Sequence, residues 1–241
     1  MTQFARWMSD ALASDMPEPT AMVLSTVTAE GRPRGRTVLL KAHDKAGFTF
    51  YSNRTSRKGS ELAGNPSACL VFPWYGIGRQ VIAEGRVRVL SQAESEPYFR
   101  SRPRGSQIGA WASRQSTAIA SRAVLDDRVA ELERRWPEPG PVPMPGFWGG
   151  YVLEPDAVEF WQAGAFRLHD RLRYRRAGGG WAVDRLSPLR CAGRRPRRPG
   201  RPALRRSRSC RRSRLPVRPV PDRGIMFSPL RHSITSRRMR S

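Results

Sequence analysis

Three consecutive stretches decide the fold class: Ala21-Met-Val-Leu-Ser-Thr-Val-Thr28, Arg36-Thr-Val-Leu-Leu-Lys-Ala-His43 and Gly47-Phe-Thr-Phe-Tyr-Ser-Asn53. Each is a short run rich in β-branched and aromatic residues, and each is bounded by turn formers. Gly31 turns the chain between the first two, and Asp44-Lys-Ala-Gly47 reads as a hairpin turn before the third. The same pattern continues outward. Residues 68–74 and 79–90 read as strands joined through Tyr75-Gly-Ile-Gly78, and strands resume at 149–154, 157–161, 167–175 and 181–186. Helical spacing is confined to 4–13, 56–63, a stretch opened by Ser91-Gln-Ala-Glu94, 106–115 and 121–135. Ser56 suits an N-cap, and Ser91 with Glu94 has capping-box spacing. Pro97 is expected near the start of its helix, where it does not break the turn. Residues 137–145 form a proline-rich connector. The chain is therefore expected to be mainly β with peripheral helices, an antiparallel barrel with helices at its edge.

The chain has 241 residues, enough for one large domain or two small ones. No run approaches the ~20 apolar residues of a membrane span, and the N-terminus lacks an apolar signal-peptide core. Cys69, Cys191 and Cys210 have no metal-ligand or CxxC spacing, so a reducing cytoplasm is the expected location. The net charge of +24 is unevenly placed. Residues 189–241 contain 18 arginines and one acid, Asp222, giving +17, which leaves +7 for the first 188 residues. Those read as an ordinary, mildly basic domain.

Several constellations could carry chemistry. Arg36 and Lys41 bracket a strand, while Arg57 and Lys58 follow the Ser56 cap. Cations at a helix N-terminus oppose its dipole, but together with free N–H groups they make an anion site. Tyr98, Arg102 and Ser106 are spaced four apart, one face of a helix, and suit one phosphate. Pro103 must bend or end that helix between Arg102 and Ser106. Gln80, Gln115 and Ser116 are neutral hydrogen-bonding groups of the kind that suit a ring with donors and acceptors. Trp111, Trp148 and Trp161 read as core, and His43 as structural or exposed. From Glu159 to Arg171 the chain packs an indole, arginines, a histidine and carboxylates together. If 167–175 is a strand, Arg167, His169 and Arg171 share one face. A solvated edge strand is the competing reading. No nucleotide-loop motif, metalloprotease motif or convincing nucleophile–histidine pair is present.

Ten motifs in order then give the chain a family. They are Ala-Met-Val-Leu-Ser-Thr-Val (21–27), Arg-Thr-Val-Leu-Leu-Lys (36–41), Phe-Tyr-Ser-Asn (50–53), Ser-Arg-Lys (56–58) and Arg-Gln-Val (79–81). There follow residues 98–116 (Tyr-Phe-Arg-Ser-Arg-Pro-Arg-Gly-Ser through Arg-Gln-Ser), Trp-Gly-Gly-Tyr (148–151), Glu-Phe-Trp-Gln (159–162), Arg-Leu-His-Asp-Arg (167–171) and Asp-Arg-Leu-Ser-Pro (184–188). Residues from about 4 to 188 resemble the pyridoxamine/pyridoxine 5′-phosphate oxidases. The resemblance implies an FMN-binding split β-barrel over 1–188, with a dimerisation region at about 145–188 and FMN at the interface of a homodimer. It implies FMN contacts from Arg36, Thr37, Val38, Leu39, Leu40, Lys41, Tyr51, Ser52, Arg57, Lys58, Gln80, Gln115, Ser116, Trp161 and Arg171. It implies a substrate phosphate site of Lys41, Tyr98, Arg102 and Ser106, with Arg167 and His169 as catalytic residues at the substrate ring. The implied reaction oxidises the C4′ carbon of pyridoxamine or pyridoxine 5′-phosphate, passes a hydride to the flavin, and uses dioxygen to release hydrogen peroxide. Pyridoxal 5′-phosphate is the product.

The chain departs from the family pattern in three places: a short N-terminal segment, Ala163 in place of a glycine, and continuation past Pro188. Residues 189–241 are rich in Arg, Pro and Ser and are expected to be disordered, since they cannot bury enough surface to offset ordering entropy. They read either as a basic arm for nucleic acid or as the product of a shifted reading frame. Two other functions compete: a different split-barrel FMN or deazaflavin reductase, and a nucleic-acid-binding protein acting through the tail. Tyr98, Arg102, Ser106, Arg167 and His169 together argue against the reductase. No metal site is expected.

Overall fold

In the computed structural model, helix α1 (Thr2–Leu12) leads into strands β1 (Ala21–Val27), β2 (Pro33–Leu39), β3 (Ala42–His43) and β4 (Phe48–Asn53). After α2 (Arg57–Gly64) come β5 (Ser67–Phe72) and β6 (Arg79–Val89), followed by α3 (Gln92–Ser101), α4 (Arg104–Ala112) and α5 (Ala123–Arg135). Strands β7 (Trp148–Gln162), β8 (Asp170–Ala177) and β9 (Gly180–Arg185) complete the described part. The structure describes residues 1–188. The stretch 189–241, with the readings made of it as disordered, basic or frame-shifted, lies outside the described residues.

The nine strands of the described residues join one antiparallel sheet in the order β2-β1-β5-β6-β7-β4-β3, with β8 on β7 and β9 on β8. The spine is β7. One edge pairs with β6 along nearly its whole length; the other pairs with β4 through residues 148–153 and with β8 through 157–162. That division of one edge between two strands makes the curled sheet a split barrel. The sequence suggested two strands here, 149–154 and 157–161, but they are one strand, even though a proline between them removes a ladder donor. Pro155 is accommodated by a bulge instead: Gly85 faces Pro155 while Glu84 faces Ala157, so Asp156 has no partner. A Cβ on Gly85 would lie 2.0 Å from the Glu154 carbonyl oxygen, so no larger residue fits this crossing.

Residues 36–43 were expected to be a single strand, but they divide. Leu40 N–H donates to Thr20 O, whereas Lys41 N–H donates to Thr49 O. The chain changes partner between them, from β1 to β4, and so bridges the two ends of the sheet order. Strand β1 alternates as its sequence predicts, burying Met22, Leu24 and Thr26. Helix α1 presents Phe4, Met8 and Ala11 to the core. Phe4 meets Phe48, Phe72 and Trp74 at ring-centroid distances of 4.8, 5.0 and 5.7 Å. Trp74 Nε1 donates to Pro19 O at 2.8 Å, so the buried indole loses no hydrogen bond. Burial pushes the Cys69 thiol up to about 11, which makes it inert.

Two helical expectations are corrected. Pro97 is the sixth residue of α3 and not near its start; the Ala93 carbonyl that its missing N–H leaves free lies on an exposed turn. The capping box opens this helix as predicted. Pro103 separates α3 from α4, and α4 ends at Ala112, not at 115. Residues 113–116 leave the helix to reach α2, where Gln115 and Ser116 find their partners.

Candidate functional site

The N-terminus of α2 is the fixed point of the site. Ser56 caps it, accepting from Gly59 N–H. A Cβ on Gly59 would lie 2.1 Å from the Arg54 carbonyl oxygen, so the strand-to-helix turn closes only around glycine. This places Lys58 over the cap: its Nζ donates to Gln115 Oε1 at 2.6 Å, with Ser56 Oγ at 3.4 Å. Arg57 N–H donates to Ser116 Oγ at 3.3 Å. Burial, and then the neighbouring Arg36, hold the Lys58 amine below its ordinary pKa, with Glu61 opposing them.

Two crevices meet at the Lys58–Gln115 bond, and both residues line each. The smaller, about 470 Å³, is also lined by Arg34, Arg36, Thr37, Arg57 and Ser116. Four cations and two hydroxyls, those of Thr37 and Ser116, converge there. The larger, about 630 Å³, is lined by Thr37, Val38, Leu39 and Lys41 on one side, Tyr51 and Ser52 on the floor, and Tyr98, Arg102 and Ser106 opposite. Pro103 does break the helix between Arg102 and Ser106, yet all three of the spaced residues face this one space. Leu40 does not: it is buried in the core with its N–H bonded to Thr20 O.

The floor of the larger crevice is aromatic. Tyr51 stacks on Tyr98 at 4.1 Å and on Trp148 at 5.3 Å, and the Arg102 guanidinium lies 4.9 Å from the Trp148 centroid. Burial lowers the Arg102 pKa and raises that of Tyr51. Arg102 Nη1 is buried and has no hydrogen-bond partner among the described residues. An orphaned guanidinium donor costs free energy unless an anion completes it, so the residues present fit a phosphate ester. Trp148 was read as core from its sequence. It is buried, but it is also the platform that holds Arg102, and its direct pairing with Asn53 could be found only from the sheet register.

A second cluster lines neither crevice. Gln80, Trp161 and Arg171 are directly opposite one another across β6, β7 and β8, so they form a row on one sheet face. Arg171 pairs with Glu159 at 2.7 Å. Beyond the row, Gly164 N–H donates to His169 Nδ1 at 3.2 Å, and the imidazole lies over Trp161 at 4.6 Å. The expectation that Arg167, His169 and Arg171 alternate along one strand is corrected. Residues 165–167 form a 3₁₀ turn with Phe166 and Arg167 at φ 55° and 64°, and β8 begins only at Asp170. The cause is the tightness of the turn: Gly164 approaches the Leu168 carbonyl so closely that a Cβ would sit 2.2 Å from it. Arg167 is exposed and forms no ion pair among the described residues.

Fold and crevices together define a split barrel whose rim is suited to phosphorylated ligands. Residues 8–135 match the family described as pyridoxamine 5′-phosphate oxidase, and 148–188 match the pyridoxine 5′-phosphate oxidase C-terminal dimerisation region. The chain belongs to the pyridoxine/pyridoxamine 5′-phosphate oxidase family and is an oxidoreductase. It is 60% identical over 190 residues to a pyridoxine/pyridoxamine 5′-phosphate oxidase of Frankia alni, covering 77% of this chain and 79% of the relative. Among solved structures it is similar to PhzG from Burkholderia lata in complex with tetrahydrophenazine-1-carboxylic acid, with 34% identity, a TM-score of 0.73, and coverage of 78% of this chain and 91% of that one. A pyridoxamine 5′-phosphate oxidase-related, FMN-binding protein of Nostoc punctiforme shares the fold at 16% identity, with a TM-score of 0.63 and coverage of 78% and 96%.

Proposed function

We propose that the chain is an FMN-dependent oxidase that converts pyridoxamine 5′-phosphate and pyridoxine 5′-phosphate to pyridoxal 5′-phosphate, consuming dioxygen and releasing hydrogen peroxide. The observation that carries this reading is the pair of adjoining anion sites at the Lys58–Gln115 bond. One is suited to a cofactor phosphate at Arg36, Arg57, Lys58 and Ser116. The other is suited to a substrate phosphate at Lys41, Tyr98, Arg102 and Ser106. Two phosphate esters side by side are what an FMN enzyme acting on a phosphorylated pyridine requires. A ligand carrying only a carboxylate, such as the one bound to PhzG, makes less use of the second site.

FMN, held through its phosphate by Arg36, Arg57, Lys58 and Ser116, would supply the two-electron redox chemistry between the substrate's C4′ carbon and dioxygen. The protein's part is positioning. Arg102 and Lys41 neutralise and orient the substrate phosphate, and the Tyr51–Tyr98 stack excludes water from one side of the crevice. Gln115 and the Gln80–Trp161–Arg171 row supply hydrogen bonds and an apolar plane for the cofactor ring. Arg167 and His169 hold the substrate ring, and the His169 imidazole can take or give a proton. Because the second cluster lines neither crevice of its own chain, the active species is a homodimer in which one protomer's row completes its partner's crevices. The matched dimerisation region supports this arrangement. The enzyme is assigned to the cytoplasm, and no described helix is long and apolar enough to cross a membrane.

The test is an absorbance spectrum of purified protein, taken with and without pyridoxamine 5′-phosphate under anaerobic conditions. A yellow protein whose flavin band bleaches on substrate addition and returns with air is expected. A colourless preparation that neither binds nor reduces added FMN overturns the assignment.

A further inference from the structure

Arg36 is one of four cations in the smaller crevice, but three of its donors point elsewhere. Its Nη1 donates to Leu24 O at 3.1 Å and to Thr26 Oγ1 at 2.5 Å, and its Nη2 donates to Glu61 Oε2 at 2.8 Å. The Thr26 hydroxyl itself donates to the same Glu61 oxygen at 2.5 Å, so these two acceptors are adjacent. Adjacent acceptors occupy the Nη1–Nη2 end of a planar guanidinium. Leu24 O takes the remaining Nη1 proton. Of the five N–H groups of arginine, the two left are Nε–H and one on Nη2. They lie on a single edge, the fork that binds two oxygens of a phosphate or carboxylate.

Glu61 is only 8% exposed and does not line the crevice. Its other oxygen, Oε1, has only Arg34 nearby, at 3.5 Å, and makes no hydrogen bond among the described residues. A buried carboxylate behind an anion site weakens that site electrostatically, so mere proximity of charge gives it no reason to be there. Orientation does. Without Glu61 and Thr26, the guanidinium would be free to rotate its end into the crevice and lose the defined edge. Carboxylate and hydroxyl reach it from different elements, α2 and β1, so its plane is set from two directions.

We propose that Glu61, seconded by Thr26, is a positioning residue that turns Arg36 so its Nε–Nη2 edge grips the phosphate of the cofactor. This rests on the reading of the smaller crevice as the FMN phosphate site. The experiment measures dissociation constants of FMN and of riboflavin, which lacks the phosphate, for the full chain by quenching of flavin fluorescence. Glu61→Ala is expected to weaken FMN roughly tenfold or more, the equivalent of one charge-assisted contact, and to leave riboflavin within about twofold. Glu61→Gln keeps an acceptor for Nη2 and is expected to restore FMN binding. In an Arg36→Ala background, Glu61→Ala should add nothing. If Glu61→Ala does not fold, Thr26→Val carries the test and is expected to shift FMN, and not riboflavin, in the same direction.

Three results would overturn the proposal. FMN affinity that is unchanged or tighter without Glu61 means that its charge merely opposes the site. Equal losses for FMN and riboflavin mean a structural role. An undiminished Glu61 effect in the Arg36→Ala background means it acts through another group. If Arg36→Ala itself leaves FMN affinity untouched, the placement of the cofactor phosphate falls as well. If Arg36→Ala weakens FMN while the Glu61 and Thr26 variants do not, only the positioning role falls.

Discussion

Arg167 and His169 are separated by a single residue, yet they are held in different ways. Arg167 sits at a left-handed φ of 64°, exposed, whereas His169 is fixed by Gly164 and the Trp161 ring. Arg167→Ala and His169→Ala are both expected to lose turnover while retaining FMN, as measured by steady-state rate against flavin content; normal turnover in either would refute its placement at the substrate. Lys58→Ala is expected to do the reverse and release FMN, with a loss of about 1.5–3 kcal/mol for a charge-assisted contact. Glu61 carries a pH prediction. Burial raises its pKa, but the Thr26 hydroxyl, Arg36 and Arg34 outweigh burial and bring it below the ordinary 4.5. A carboxyl whose folded pKa is depressed contributes stability in full above pH ~4.5, and that contribution is lost as pH falls through the folded value. Glu61→Gln should therefore flatten the acid limb of a stability-versus-pH curve between about pH 4.5 and the folded pKa. An acid limb as steep as wild type's would show that other carboxylates set it. Residue types such as Lys58 and Arg102 were legible in the sequence because a cation beside a cap or a tyrosine is a chemical signal. Trp148 was not, because an indole is a core residue by default and only its neighbours make it a platform.

At the scale of elements, the turn between β7 and β8 matters most, since it carries Arg167 and His169. A side chain at Gly164 would meet the Leu168 carbonyl, so Gly164→Ala must open the turn and displace both residues. The expected outcome is a large fall in turnover with the split barrel intact, checked by kinetics alongside far-UV circular dichroism; unchanged kinetics would mean that the turn's closure is irrelevant to the site. Strand periodicity misled here because alternation was extended through a segment that forms no ladder. The reverse error occurred at Pro155, where a residue that signals a break is absorbed by a bulge opposite Gly85. Both depend on contacts between elements distant in sequence. By contrast, the Ser56 cap, the Ser91–Glu94 capping box and the Asp44–Gly47 turn were all legible, because their hydrogen bonds close within four residues.

At the scale of the molecule, the match to the family's dimerisation region ends at residue 188. A chain ending at Pro188 is accordingly expected to fold, bind FMN and oxidise substrate at least as well as the full chain. The measurement is flavin stoichiometry and rate for the two chains side by side. Failure of the shorter chain to fold or to retain flavin would place part of the functional unit beyond Pro188. Both chains should sediment as dimers when flavin is bound; a monomer carrying one tightly bound FMN would contradict a site shared between protomers.

The sequence by itself determined most of the strands though not all their limits, the Ser56 and Ser91 helix caps, which family the chain belongs to, and which side chains are candidates for the chemistry. Each of these depends on local periodicity, short-range hydrogen bonding or ordered motifs. The family resemblance already grouped Lys41 with Tyr98, Arg102 and Ser106, but only the tertiary structure decided by what physical means the candidates are brought together or kept apart. Lys41, Tyr98 and Ser106 share a crevice because a change of strand partner at Leu40 and a helix break at Pro103 bring them together, and Gln80, Trp161 and Arg171 are set apart because they share a sheet row. The edge that Arg36 presents depends on Glu61, 25 residues away on another element. Such convergence follows from packing across the barrel, and residue spacing along the chain does not encode it.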